Sequence, residues 1–159
     1  MTAPRPGILE DFEREALYDP SAWFVHEVLG IDREAHRITA LVDTTRLGPF
    51  VEAQRPHAGH ERHVPGAIAI QVTGTLGNLH AVYVMGLRPT EGWVGYGTHV
   101  RDARFRRMGT IGPPVIAVAE CYRRRQLRGV WFLDYRFRFE QENEPVYESE
   151  QTAIWRRSP

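Results

Sequence analysis

The most distinctive pattern in the chain is an apolar segment in its middle, AIAIQVTGTLGNLHAVYVMG at residues 67–86. Apolar side chains fall on nearly every side of it, which predicts a buried helix rather than a surface one. Gly74 and Gly77 each cost such a helix about 1 kcal/mol relative to alanine. We therefore expect a structural reason for both glycines, and the simplest is a close approach of the helix backbone to a sheet.

Four strands are predicted after this helix, at residues 92–107, 114–125, 129–141 and 145–157. Their spacing is regular, and two of the gaps between them are short. Arg128-Gly129 and the segment ENEP at 142–145 have the composition of hairpin turns. An antiparallel run of strands follows from these turns.

Shorter elements are predicted before the central helix. One helical stripe is formed by apolar residues at helical spacing: Ile8, Phe12, Ala16 and Leu17. Asp19-Pro20 breaks this helix, and a second short helical segment is expected from Trp23 to Gly30. Residues 36–45, HRITALVDTT, alternate as a strand does, with Ile38, Ala40 and Val42 on one face. Residues 46–66 form a long polar loop, which in a small domain is usually functional or mobile.

These elements together predict an α+β fold, with one curved antiparallel sheet and one long central helix. A length of 159 residues, 42% of them hydrophobic, fits a single domain spanning 1–159. Residues 1–7 carry two prolines and a glycine and are expected to be a flexible arm.

The charge of the chain narrows the range of partners. Net charge is zero with histidine neutral, so nucleic acid is not predicted as a partner. All 20 basic residues are arginine. Between residues 101 and 138 there are ten arginines and three acidic residues, a net charge of +7; the first sixty residues hold six arginines and ten acidic residues, a net charge of −4.

The cysteine content and the length of the apolar runs bear on the cellular compartment. Cys121 is the single cysteine, so no disulfide framework is predicted, and the reducing cytoplasm is the simplest expectation. We interpret Cys121 itself as a small buried apolar residue. No apolar run reaches the roughly 18 residues that span a bilayer, and the first residues lack the apolar core of a signal peptide. No membrane association is predicted.

Three histidines at three-residue steps, His57, His60 and His63, precede the central helix. Imidazoles at this spacing can converge on zinc. No cysteine lies near them, and the positions of the nearby acidic residues do not indicate metal ligands, so no metal is predicted. The remaining interpretations are that one of the three is a catalytic base, or that all three belong to a solvated loop.

The order and spacing of these residues resemble the 3-hydroxyacyl-acyl-carrier-protein dehydratases of the hotdog superfamily. In those proteins a strand leads to a histidine in H-F-P-G, a Pro-Gly follows about eight residues later, and a helix carboxylate lies about fourteen residues after the histidine. Here His57 takes the histidine position, Pro65-Gly66 follow at eight and nine residues, and Gln71 lies at fourteen. RDARFRRMGTIGPP, at 101–114, is similar to the family's later strand and turn. The resemblance covers about residues 22 to 156 and implies a hotdog fold.

A second register places His63 at the catalytic position, because His63-Val64-Pro65-Gly66 is itself close to H-x-P-G. Spacing from the preceding strand favours His57. Both registers stay open on the sequence alone.

The chemistry that the resemblance implies is work on an acyl thioester. A histidine suits the base, because its pKa lies near neutrality. The amide of Gly66, at the start of the helix, suits an oxyanion donor. Gln71 stands where the family has an acid, and an amide cannot donate and recover a proton. The enzyme is thus dehydratase-like with an altered acid, or it is a thioesterase in which Gln71 or Asn78 holds the water. A third alternative is an addition or isomerisation on an enoyl thioester, which needs only one base.

Two further alternatives bear on function and partners. The C-terminal half is similar, more loosely, to hotdog long-chain acyl-CoA thioesterases, and loss of the carboxylate also fits a non-catalytic protein that binds an acyl chain or an acyl carrier. Arg123, Arg124 and Arg125, with Arg101, Arg104, Arg106 and Arg107, are candidates to hold coenzyme A phosphates or an acidic carrier protein. Their alternative is a solvated sheet edge.

Gln71, Asn78 and His80 also admit ordinary structural roles, as buried polar groups bonded to the backbone or to a helix end. Apart from a thioester substrate no cofactor is predicted, and the resemblance implies a homodimer or a higher homo-oligomer.

Overall fold

The structure, a computed structural model, describes residues 7–158, so residues 1–6 of the expected arm lie outside the described part. Within this described range the α-helices are α1 (Ile8–Glu13), α2 (Pro49–Glu52) and α3 (Gly66–Tyr83). The strands are β1 (Glu27–Asp32), β2 (Arg37–Val42), β3 (His63–Val64), β4 (Trp93–Phe105), β5 (Gly109–Thr110), β6 (Val115–Leu127), β7 (Val130–Gln141) and β8 (Glu144–Arg157). Short 3₁₀ turns lie at Pro20–Ala22, Thr44–Arg46 and Pro89–Glu91.

Six strands form one antiparallel sheet in the order β1-β2-β6-β7-β8-β4, and β3 pairs with β5 in a separate ribbon. Both predicted hairpin turns join neighbouring strands. Arg128 and Gly129 have φ of 49° and 80°, and Glu142 and Asn143 have φ of 54° and 64°. Two successive left-handed residues give a turn whose twist matches that of the flanking strands. The α+β class and the four C-terminal strands are confirmed.

The central helix α3 lies against the sheet and is buried around much of its circumference. Ile68, Val72, Leu76 and Leu79 are each at most 2% exposed. The helix packs on β6 and β2. Each fully buried aliphatic side chain stabilises the fold by about 1.5–3 kcal/mol, so this contact is a principal source of stability. The predicted helix is confirmed, and it ends at Tyr83, before Gly86 turns into the left-handed region at φ 70°.

The expected reason for Gly74 and Gly77 is wrong. A Cβ built at either position meets nothing within 4 Å, so close packing against the sheet does not require glycine there. Both glycines border open space instead. Their cost in helix stability is therefore not offset by packing within the protomer.

The expected second helical segment, Trp23 to Gly30, is also wrong. A 3₁₀ turn ends at Ala22, and residues 27–32 form β1, paired with β2. Strand pairing is favoured over helix formation here because it buries Val28 and Ile31 against the core. The hairpin is closed by Asp32, whose carboxylate accepts from the Ala35 amide at 2.9 Å. The long polar loop at 46–66 is interrupted by α2 and by β3.

We predict that Gly74→Ala and Gly77→Ala each raise the free energy of unfolding by about 0.5–1 kcal/mol, because each adds a methyl group in open space and restricts the unfolded chain. Urea denaturation measures this. Gly95→Ala is the matched control. A Cβ there would overlap the ring of Trp155, so we expect a loss of about 1–3 kcal/mol. Destabilisation by both helix substitutions would show that something fills the space beside them.

Candidate active site

A cavity of about 420 Å³ lies at the first turns of α3, between the helix and the sheet. Most of its wall is aliphatic or aromatic. The polar side chains on this wall are His63, Arg107 and Tyr147, and no carboxylate lines it. A wall of this kind suits a hydrocarbon chain, with one imidazole and one guanidinium as the ionisable groups at neutral pH. We refer to it as the first cavity.

His63 is held on this cavity by a ladder of backbone and amide hydrogen bonds. On one side, His63 pairs with Thr110 through the β3–β5 ribbon. On the other side, the His63 amide donates to Gln54 Oε1 at 3.0 Å, and Gln54 Nε2 donates to the His63 carbonyl at 2.8 Å. The Gln141 side chain binds the backbone of Thr110 in the same way. Its Oε1 accepts from the Thr110 amide at 2.9 Å, and its Nε2 donates to the Thr110 carbonyl at 2.8 Å. Two glutamine side chains thus take the places of the missing neighbouring strands.

The ring of His63 is half-buried and oriented. Its Nδ1 lies 3.3 Å from the carbonyl oxygen of Glu61. The tautomer with its proton on Nδ1 donates to that carbonyl and leaves Nε2 free to accept a proton. The ring of His60 packs edge-on against it, with centroids 5.0 Å apart.

The first turn of α3 begins at the same cavity. Pro65 precedes the helix, no side chain caps it, and no acidic residue lies in its first turn. The leading amides of a helix have no partner within the helix and carry a partial positive charge. Gly66 lines the cavity, and the ring of Phe105 lies so close that a Cβ at this position would be 2.8 Å from it. A side chain at Gly66 would force Phe105 away.

The structure therefore brings His63 and Gly66 together, and it places His57 elsewhere. His57 is exposed and forms a small two-residue bridge with His60, with N–H to O distances of 3.1 and 2.8 Å. It does not line the first cavity.

Gln71 and Asn78 lie on a different side of α3. They border a second cavity of about 250 Å³, which shares no lining residue with the first. Gln71 Nε2 donates to the Ala22 carbonyl at 3.1 Å, which is the structural role considered for it above. Within one protomer, Gln71 is not a neighbour of His63 on the same cavity wall.

The arginine triplet in β6 is not a single cluster. Arg124 donates to the Cys121 carbonyl at 2.7 Å, whereas Arg125 Nη2 lies 3.6 Å from Asp134 Oδ2. Arg123 and Arg125 border a shallow depression that includes neither Arg124 nor any residue of the first cavity. The arginine on the wall of the first cavity is Arg107. Its place in RDARFRRMGTIGPP was the available signal, but nothing in that pattern singles it out from Arg104 or Arg106.

The side chains of His36, His80 and Tyr135 form a chain of polar rings that links the turn before β2, helix α3 and strand β7. His36 Nδ1 lies 3.2 Å from His80 Nε2, and His80 Nδ1 lies 2.9 Å from the Tyr135 hydroxyl. Burial, together with the neighbouring His36 and Arg124, lowers the pKa of His80 to about 3. Burial also raises the pKa of Tyr135. Both rings are neutral at pH 7, and His80 is bonded inside the core.

Residues 7–158 contain neither a cluster of metal ligands nor a membrane-spanning helix. No group of three or more histidine, cysteine, aspartate or glutamate side chains could hold a metal ion there. Within the same range, no helix is both long and apolar enough to cross a membrane.

Comparison with known proteins rests on structure. No model of a protein family and no curated protein matches the sequence. A dehydratase heterocomplex from Xenorhabdus doucetiae superposes with a TM-score of 0.65 at 12% identity, covering 92% of this chain and 90% of that chain. A mutant thioesterase from Pseudomonas aeruginosa gives 0.64 at 16% identity, covering 99% and 97%. A hypothetical thioesterase with coenzyme A from Streptococcus pneumoniae gives 0.58 at 15% identity, covering 94% and 99%.

The chain has the hotdog fold. The predicted fold is confirmed, with α3 as the central helix of the hotdog and the six-stranded sheet as its wrapping. At identities this low the structural likeness shows the fold alone. The chemistry is therefore assigned from the residues of the first cavity.

We predict that acid destabilises this hotdog fold partly through His80. The unfolded chain has a histidine pKa of about 6.5, and the folded pKa is about 3. Between these values the unfolded state binds a proton that the native state does not. Stability therefore falls as pH falls, with His80 contributing up to about 1.4 kcal/mol per pH unit.

The measurement is urea denaturation from pH 7 to pH 4, with His80→Gln as the comparison. Glutamine can keep hydrogen bonds but does not titrate, so the variant should show a shallower decline. His36, whose pKa burial and Arg124 also lower, contributes in the same direction in both proteins. Equal slopes for the two proteins would contradict the assignment.

Proposed function

We propose that this chain hydrolyses acyl thioesters at the first cavity, with His63 as the general base. The observation that carries the proposal is the position of an oriented imidazole beside the uncapped start of α3, at an apolar cavity of about 420 Å³. The cavity takes the acyl chain. The thioester carbonyl sits at the helix start, within reach of His63.

The reaction needs one base and an oxyanion site. Nε2 of His63 takes a proton from water as the water oxygen attacks the thioester carbon. The Gly66 amide and the helix dipole stabilise the negative charge on the carbonyl oxygen. When the tetrahedral intermediate collapses, the carbon–sulfur bond breaks, and the imidazolium returns its proton to the departing thiolate. The products are a free acid and a thiol.

Hydrolysis fits this cavity better than dehydration does. Dehydration of a 3-hydroxyacyl thioester needs a second group that can donate a proton to the leaving hydroxyl. No carboxylate lines the first cavity, and Gln71 carries an amide, which cannot serve as that acid. Hydrolysis needs no such group. Arg107, on the cavity wall, is in our proposal the contact for a phosphate of the thiol carrier, in place of Arg123, Arg124 and Arg125.

We also propose that two copies pair through β4. This strand is 13 residues long and lies at the edge of the sheet, with β8 as its partner in the described structure. Several apolar side chains on it are exposed: Val94, Tyr96, Val100 and Phe105. A long free edge with exposed apolar side chains is a template for another strand, and antiparallel pairing about a two-fold axis would join the two sheets. In such a dimer, in our proposal, Gln71 of one copy faces the site built on His63 of the other and holds the attacking water there.

We predict that His63→Ala lowers kcat/KM for acyl-CoA hydrolysis by about 10²–10⁴, because the base is lost. The assay is thiol release from saturated acyl-CoA of two to sixteen carbons, with mass spectrometry to identify the free acid. His57→Ala is the matched control, since it removes an exposed imidazole from the same loop, and it should leave the rate unchanged. Loss of activity in His57→Ala alone would assign the base to the other register. Addition or loss of water on an intact thioester would replace hydrolysis with hydratase chemistry.

We predict that mixing His63→Ala with Gln71→Ala protein restores activity. If each site takes His63 from one copy and Gln71 from the other, a hybrid dimer keeps one intact site, and a statistical mixture recovers roughly a quarter of the wild-type rate. If both residues serve one protomer, no recovery occurs. Val100→Lys should shift the protein to monomer in light scattering and abolish the recovery, because it places a charge at the paired edge. Leu127→Lys, at an exposed apolar residue at the end of β6, is the control.

A further inference from the structure

The outer face of the sheet, which is turned away from α3, carries a shallow depression with a volume of about 610 Å³. Leu133 and Tyr135 of β7 are each at most 1% exposed and face the core. Successive side chains of a strand point to opposite faces, so Phe132 and Asp134 point outward, into the depression. It shares no lining residue with the first cavity. We call it the outer depression, and its charged residues are Arg101, Arg123, Arg125 and Asp134.

Both strands that flank the outer depression bulge at the same row of the sheet. The row runs through Asp134 of β7 and Thr152 of β8, which pair with each other. In β6 the register shifts so that Tyr122 is left unpaired and Arg123 pairs with Asp134. In β4 the register shifts at the same row, where Thr98 is the unpaired residue. At each bulge the extra residue and the one after it both line the depression, whereas consecutive residues of a regular strand face opposite sides.

The outer depression is positively charged. Three guanidinium groups and one carboxylate line it, which gives these groups a net charge of +2. The carboxylate, Asp134, is buried, and its Oδ1 accepts from the Thr152 hydroxyl at 2.6 Å. Nη2 of Arg101 lies 3.8 Å from Oδ1 of Asp134, and Nη2 of Arg125 lies 3.6 Å from Oδ2. Both distances are too long for hydrogen bonds, so Asp134 keeps the two guanidinium groups nearby without occupying their N–H donors.

The arginine side chains retain donors for a ligand. Arg101 gives one N–H to a threonine hydroxyl at 2.8 Å, and the side chains of Arg101 and Arg125 are 41% and 51% exposed. Arg123 is exposed, and within residues 7–158 its guanidinium lies at ion-pair distance from no carboxylate. Glu150, which pairs with Arg101 across the strands, is bonded to Arg136 instead, at 3.1 Å. An anion at this place therefore meets positive charge that the protein does not itself neutralise.

An apolar surface adjoins these charges. Phe132 pairs with Ile154, two residues along β7 from Asp134, and both side chains line the depression. The guanidinium carbon of Arg125 lies 5.8 Å from the centre of the Phe132 ring, which holds the positive group beside the aromatic one. A ligand can thus place an anionic group on the arginines and an uncharged carbon group on Phe132 and Ile154.

We infer that the outer depression is a binding site for a small phosphate monoester. The planar fork of N–H donors in arginine matches the oxygens of a phosphate group. A phosphate monoester carries nearly two negative charges at pH 7, which match the net charge of +2, whereas a carboxylate would neutralise only half of it. The organic group of the ester rests on Phe132 and Ile154. The inference does not rest on thioester hydrolysis, and pairing of two copies through the edge of β4 extends the sheet and leaves its outer face open.

Phenyl phosphate is the probe, and inorganic phosphate is the comparison without an organic group. Isothermal titration calorimetry of the full chain at pH 7 measures both, and we expect phenyl phosphate to bind more tightly. Arg123→Ala should weaken both about tenfold, the loss expected for one hydrogen bond to a charged group. Ile154→Ala should weaken phenyl phosphate alone. Arg138→Ala is the matched control. It removes the same charge from the same face, but Arg138 is bonded to Glu140 at 2.7 Å and lies outside the depression, so both affinities should stay unchanged.

Absence of saturable phenyl phosphate binding would overturn the inference. Equal losses in Arg123→Ala and Arg138→Ala would overturn it too, because they would show only the general attraction of a basic face. The Tm of each variant without ligand shows whether it is folded. If Arg123→Ala does not fold, Arg123→Lys decides, since it keeps the charge but loses the planar fork, and its affinity should fall severalfold.

The thiol carrier of the substrate is a second source of a phosphate monoester. In Arg123→Ala the KM for acyl-CoA should equal that of the wild type. A KM that rises together with the Kd for phenyl phosphate would place the carrier in the depression and overturn the separate site. His63→Ala should bind phenyl phosphate as the wild type does, so loss of hydrolysis and loss of the phosphate site are told apart.

Discussion

The burial of α3 is the constraint on which the rest of the structure depends. An 18-residue helix with apolar side chains on nearly every side must be covered along its length, and a single sheet can do this only by curving around it. The start of the helix has no side-chain cap, and Gly66 there lines a cavity. The proposed chemistry sits there for that reason. The same helix separates two cavities of different character, one mostly hydrocarbon and one lined by amides, hydroxyls and rings.

Much of the fold could be predicted because its signals are local. The helix, the two tight turns and the four C-terminal strands each follow from a run of neighbouring residues. The first cavity could not be predicted in the same way. Its histidine is set by a ribbon that joins His63 to Thr110, and by Gln54, whose side chain imitates a strand. Spacing from the preceding strand favours His57, but spacing along the chain contains no information about which imidazole turns inward.

The polar residues of α3 illustrate a related point. Gln71, Gly74 and Asn78 are spaced by three and four residues, so a helix places them on one face, whereas Ile68, Ala69 and Val72 line the other cavity. Helical periodicity alone could have shown that Gln71 and Gly66 serve different surfaces of one protomer. It could not have shown that the space beside Gly74 and Gly77 is open, because a small residue fits tight packing and an empty volume equally well.

The two hydrogen bonds between the Gln54 side chain and the His63 backbone bear on which sequence changes this protein can tolerate. Residues 55–62 form a loop whose two ends are held together by the hydrogen bonds between Gln54 and His63. Insertions or deletions within that loop would leave the imidazole of His63 in place. The segment that most resembles a motif is thus free to drift in length and composition, while a single amide at its base preserves the geometry beside the helix.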